Sequence, residues 1–203
     1  MSPKIIDKEA KKAEILQAAM QVFSRKGVAK TRMADIAVAA GIGKGTIYEY
    51  FRSKEEIFAA AFQQVNQRAA NLIGQSLQTT DDPVEQLRLL IDVSRQTFIE
   101  ESADFAGIMM DFWAEGIRNK DEKILGTINL EQIYTEYRSL ISGILNDGIQ
   151  KGVFRPVDTA SLAAIIIAAL DGVMLQWIMT PELIDMKKIT DVLIDGLMNG
   201  IRK

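Results

Sequence analysis

Apolar residues recur at three- and four-residue intervals along most of this chain, and no stretch shows the two-residue alternation of a half-buried strand. The pattern predicts an all-α protein of about nine helices. From residue 8 to 26, Ile15, Leu16, Ala19, Met20 and Phe23 form one stripe, and Gly27 supplies a stop. A short helix is expected from Thr31, whose hydroxyl can accept a free backbone N–H of the first turn, with Ile36, Ala37 and Ala40 inward and Gly41 at its end. Ile42 then folds inward, and a second short helix runs from Lys44 to about Phe51 with Ile47 and Phe51 one turn apart on its inner side. Ser53 and Glu56 have the spacing of a capping box, so a longer helix begins beside Lys54 and reaches about residue 78.

Asp82-Pro83-Val84-Glu85 combines a cap, a first-turn proline and a third-position acid, which opens a helix to about residue 101. A shorter one follows over 103–118, carrying Phe105, Met109, Met110, Phe112 and Trp113. After a polar break at 119–121 a long helix runs to Lys151, where Gly152 can end it. Asp158 caps a helix to about Met179, and Thr180-Pro181 separates it from a last amphipathic helix with Ile189, Val192, Leu193, Leu197 and Ile201. The stretch from Leu162 to Met179 is apolar nearly all round, but Asp171 near a bilayer centre would cost roughly 3 kcal/mol. Burial against protein is the expectation there, and Asp171-Gly172 reads as a hydrogen-bonded acid beside a close helix crossing.

Two short helices joined by a tight turn over 31–54 form a helix-turn-helix, a device for entering the DNA major groove. Its second helix leaves Lys44, Gly45, Thr46, Tyr48 and Tyr50 outside, which are phosphate- and base-contact types. No one of these residues carries the reading; the constellation does. The chain as a whole has net charge −3, which argues weakly against a nucleic-acid partner. The average conceals an asymmetry: residues 1–54 hold 11 Lys and Arg against 5 acids, so this head is +6 and the remainder −9. A basic head on an acidic body orients the molecule on a polyanion.

At 203 residues and 48% hydrophobic content the chain can bury a substantial core. It has no cysteine, which excludes disulfides and thiolate metal sites, and with no signal sequence this fits the cytoplasm. It has no histidine, which removes the usual zinc ligands and the commonest general base. No cofactor or metal motif is present, and neither is a phosphate loop or nucleophile motif.

The chain resembles the TetR family of bacterial transcriptional regulators. The matching residues are Ile15 to Ala19, Phe23, Gly27, Thr31, Asp35-Ile36-Ala37, Ala40-Gly41-Ile42, Gly45-Thr46-Ile47-Tyr48, Tyr50-Phe51 and Lys54-Glu55, with Gly152-Val153-Phe154-Arg155 before an apolar helix. Many members carry serine where Gly43 stands, so capping of the recognition helix and operator affinity depart from the pattern here. The resemblance implies a DNA-binding domain at 1–53 and an effector-binding and dimerisation domain at 54–203. It implies Lys44, Thr46 and Tyr48 at base edges or in the groove, with Thr31, Arg32, Tyr50 and Lys54 on phosphates. It also implies a homodimer through the last two helices, with no membrane partner, on a palindromic double-stranded operator.

Family members bind small molecules between body helices, which makes Phe98, Met109, Met110, Trp113, Tyr134, Tyr137, Met174 and Trp177 candidate lining for a lipophilic effector. Asp111 and Glu115, one turn apart beside Trp113, either select a cationic lipophile or form a solvated helix face. Ligand-responsive repression is the function this implies. Two alternatives are a DNA-binding architectural protein without a ligand and a helical-bundle enzyme using Asp111, Glu115 and Asp171, for which no organising motif is found.

Overall fold

The computed structural model describes residues 7–100, 107, 108, 110, 111, 114, 118 and 128–203. Among them the regular elements are helices: α1 (Lys8–Lys26), α2 (Met33–Ala39), α3 (Lys44–Tyr48), α4 (Lys54–Leu77), α5 (Pro83–Glu100), α6 (Leu130–Gln150), α7 (Thr159–Met179) and α8 (Met186–Ile201). The helix expected over 103–118 lies largely outside the described residues. The described residues fall into two compact units, one within Met1–Asn66 and Ser102–Ile128, the other within Gln67–Glu101 and Asn129–Lys203.

In the first unit, Asp7 caps α1 by accepting from the Glu9 and Ala10 amides at 3.0 and 3.2 Å. The buried stripe of α1 is Ile15, Ala18, Ala19 and Phe23. Phe23 meets Phe58 of α4 edge to face, ring centres 6.1 Å apart. The next helix begins two residues later than its sequence suggests. Thr31 is 2% exposed, and its hydroxyl donates to the Gly27 carbonyl at 2.8 Å instead of capping α2. The cap function passes to Asp35, whose carboxylate accepts from the Arg32 amide at 3.0 Å and also pairs with Lys26.

The turn between α2 and α3 is fixed by backbone geometry. Gly41 takes φ +63, the left-handed conformation that a side chain resists. The Ile42 amide reaches back to the Ala37 carbonyl at 3.0 Å and the Gly41 amide to that of Val38 at 3.1 Å, the paired bonds that close a helix on a left-handed residue. Ile36, Ala37, Ile47 and Phe51 are buried beneath this turn.

The second unit packs α6 on α7 and sets α5 against α6 and α8 around Leu87, Leu90, Ile91, Ile141, Leu145, Phe154, Ile166 and Ile194. Helix α6 is capped by Asn129, whose side chain accepts from the Gln132 amide; the polar break expected at 119–121 lies outside the described residues. It ends as the sequence predicts: Gly152 has φ +72, and the Val153 and Phe154 amides both donate to the Gly148 carbonyl. This folds the fully buried Phe154 ring onto Gly148, where an added Cβ would lie 2.1 Å from the ring. The following residues pin the chain end, since the Arg155 amide donates to Ile201 and its side chain to the Gly200 carbonyl.

Helix α7 is long and apolar enough to cross a membrane by length and composition. It buries Ala163, Ile166 and Leu170 but leaves Ile165 61% and Met179 72% exposed, so the expected burial on several sides is not supplied among the described residues. Among the described residues no close crossing is made at Gly172, as a Cβ there would meet open space.

Candidate nucleic-acid interface

Helix α3 follows the turn with Gly43 as its N-terminal flanking residue, and no side chain caps it. Ile47 anchors it at 0% exposure, which leaves the other faces to solvent. Lys44 and Gly45 are exposed, Thr46 half-buried, and Tyr48 49% exposed. The outer face of α3 therefore presents Lys44, Gly45 and Tyr48, with Thr46 partly covered. Tyr50 is half-buried and lines a cleft of about 520 Å³ between α1 and α4, with Lys12, Leu16, Ala60 and Gln63 among its walls.

The head's cations differ in their freedom to meet phosphate. Lys26 pairs with Asp35 at 3.1 Å, Lys11 with Glu14 and Lys12 with Glu9. Lys54 is engaged too: its ammonium donates to the Val28 and Ala29 carbonyls at 2.8 and 2.7 Å. Arg32 and Lys44 are exposed, and their side chains form no ion pair or hydrogen bond among the described residues. Lys30 and Arg52 share that state, although the sequence reading passed over them. Their signal was present in the +6 charge of the head, but a charge count cannot tell a paired lysine from a free one. At the start of α4, Ser53 accepts from the Glu56 amide at 3.1 Å as its spacing predicts, while the Glu56 carboxylate accepts from Arg52.

Residues proposed for an effector are distributed over both units. Phe98 and Trp177 meet edge to face at 5.7 Å, joining α5 to α7. The Tyr134 hydroxyl donates to the Asp171 carboxylate at 2.9 Å, joining α6 to α7. Burial, then the Asp171 charge and that bond, push the Tyr134 phenol up to about 12; burial likewise raises Asp171. Tyr137 packs on the core and is raised chiefly by burial, and Met174 is half-buried. Met110 belongs to the first unit, as does Asp111, whose carboxylate would stand 3.6 Å from a Cβ placed on Gly27. Met109, Trp113 and Glu115 lie outside the described residues. No group of three or more acidic side chains suited to a metal occurs among the described residues.

A helix-turn-helix with an exposed second helix, in a head of charge +6, defines a DNA-binding protein, here joined to a helical body of more than twice its length. Residues 15–61 match the model of bacterial regulatory proteins of the tetR family, and residues 83–199 that of the C-terminal part of BetI-type transcriptional repressors. The chain belongs to the TetR family of transcriptional regulators. It is 25% identical over 195 residues to the fatty acid metabolism regulator protein of Bacillus subtilis (96% of this chain, 97% of that protein). It is 28% identical over 202 residues to the regulator BetI of Proteus mirabilis (97% and 96%). The crystal structure of the regulator FadR from Bacillus subtilis with stearoyl-CoA superposes with a TM-score of 0.76 at 24% identity, over 94% of this chain and 99% of that one.

Proposed function

We propose that the protein is a homodimeric, effector-released repressor that binds a palindromic operator through two copies of α3, and that it works in the cytoplasm. The observation that carries this is the outer face of α3, where Lys44 and Tyr48 stand exposed on a helix held rigidly by the Gly41 turn. Lys44, Gly45, Thr46 and Tyr48 meet base edges or the groove wall, and Arg32 and Tyr50 meet phosphates. Lys30 and Arg52 join the phosphate set. Thr31 and Lys54, both engaged with loop carbonyls, support the head from within and add at most one remaining N–H from Lys54.

DNA contact falls within residues 1–53, and effector binding and dimerisation within 54–203. Ile165, Leu175 and Met179 of α7 and Val192 of α8 are exposed apolar side chains on two helices that pack together. Covering them with a second copy removes this surface from water and supplies the missing partner of α7. Two heads so joined enter successive major grooves about 34 Å apart.

The effector is a small lipophilic molecule held by the second unit, with Phe98, Tyr134, Tyr137, Met174 and Trp177 as candidate lining. A relative named for fatty acid metabolism and a similar structure holding stearoyl-CoA support the lipophilic class. Its binding shifts the dimer toward a head spacing that fits DNA less well, by as much free energy as its affinity differs between the two states.

Affinity measured against salt and sequence tests this reading. Lys44→Ala should weaken binding and reduce the salt slope by about one unit, while Tyr48→Ala should alter the preferred sequence. Equal losses for both variants on every duplex would contradict the assignments.

A further inference from the structure

We propose that Glu49 is a specificity residue that reads a cytosine in each half of the operator, an inference that rests on the DNA-binding reading above. Glu49 follows the last residue of α3 with helical backbone angles, φ −74 and ψ −20, so its side chain continues the helix face. It lies four residues after Gly45, hence one turn along the same side, and three-residue spacing puts Tyr48 on that side too. The face is open at Gly45, where a Cβ would meet nothing within 4 Å. A base edge can thus approach the backbone between Tyr48 and Glu49.

Glu49 is exposed and forms no ion pair or hydrogen bond among the described residues, although Arg52 lies only three residues on. It stands at the C-terminal end of α3, where the exposed carbonyls disfavour an anion. In a head of net charge +6 an added anion weakens the attraction to phosphate. A carboxylate facing the major groove has only acceptor oxygens, so it must find a donor, and the amino groups of the bases supply one. Cytosine N4 is the partner that a carboxylate matches, since adenine also presents N7, an acceptor that repels it. The neutral amide of glutamine, with both a donor and an acceptor, matches adenine instead.

The test is selection from a random duplex library with the full-length chain, its Glu49→Gln variant and its Glu49→Ala variant, followed by titration of the enriched duplexes. The wild type should enrich an inverted repeat with one symmetry-related position dominated by cytosine. Glu49→Gln should turn that position to adenine, and Glu49→Ala should leave it without preference, the remaining positions being unchanged. Replacing the cytosine in one half-site should weaken the wild type about tenfold and the alanine variant hardly at all. An inverted repeat identical in all three proteins would overturn the assignment and leave the DNA-binding reading intact. So would an alanine variant that binds every sequence more tightly by one factor, the mark of simple phosphate repulsion. A wild type that enriches no inverted repeat would overturn both.

Discussion

The Lys54 ammonium donates to the Val28 carbonyl at 2.8 Å and to that of Ala29 at 2.7 Å, which ties the start of α4 to the loop between α1 and α2. A lysine expected on phosphate thus spends two of its three N–H bonds inside the head. Charged hydrogen bonds of this kind contribute about 1–2 kcal/mol each when partly screened. Lys54→Ala should therefore lower the thermal unfolding midpoint as well as DNA affinity, whereas Lys44→Ala should lower affinity alone. Unfolding scans of both variants beside the wild type check this, and unchanged midpoints for both would refute the clamp.

Gly43 holds φ −66 and ψ 150, angles open to any residue, and a Cβ there would sit 3.6 Å from the Thr46 hydroxyl in ordinary contact. Gly43→Ser should fit without strain and cap the Thr46 amide. The expected gain is a few tenths of a kcal/mol in stability, read from urea unfolding, with operator binding at least as tight.

Gly148 is more demanding. Any side chain there enters the Phe154 ring, which is wholly buried and backed by the α6 ending. Gly148→Ala should destabilise the body by about 1–3 kcal/mol through overpacking, and Phe154→Ala by about 3–5 kcal/mol through a cavity. Denaturant midpoints measure both, and a neutral Gly148→Ala would show that the ring has room to move.

The Tyr134–Asp171 pair sets a pH signature. The phenol is raised from its ordinary 10 to about 12, first by burial and then by Asp171. Because the folded value is the higher one, the associated stability is complete below about pH 10 and is lost as pH rises through about 12. Ultraviolet titration should show Tyr134 ionising near the upper value, a step that Tyr134→Phe removes while Tyr137, also raised by burial, still ionises late. Asp171→Asn should move that step part of the way down, since burial remains. Asp171, raised by burial, favours the folded state while protonated, and that contribution fades as pH climbs through its folded value.

The sequence disclosed most of the head because its determinants are local. Gly41, Ile47 and the Ser53–Glu56 spacing each act within one or two turns, and the structure places them as periodicity and capping rules require. Thr31 misled because a hydroxyl at a helix start can serve either side, and only the fold brings the Gly27 carbonyl within its reach. Lys54 was ambiguous for the same reason, its partners lying 25 and 26 residues away in sequence. The apolar residues of α7 advertised burial without saying by what, and among the described residues Ile165, Leu175 and Met179 remain exposed. Aromatic and methionine positions of the body could be counted from sequence, whereas their grouping depends on helix rotations that composition does not encode.

The most direct test is a nuclease footprint of the full-length protein on the DNA that flanks its own gene. The account predicts protection of an inverted repeat whose half-sites lie about one helical turn apart, bound by a dimer and weakened steeply by salt. No protection at low salt, or protection of an asymmetric site by a single chain, would contradict it.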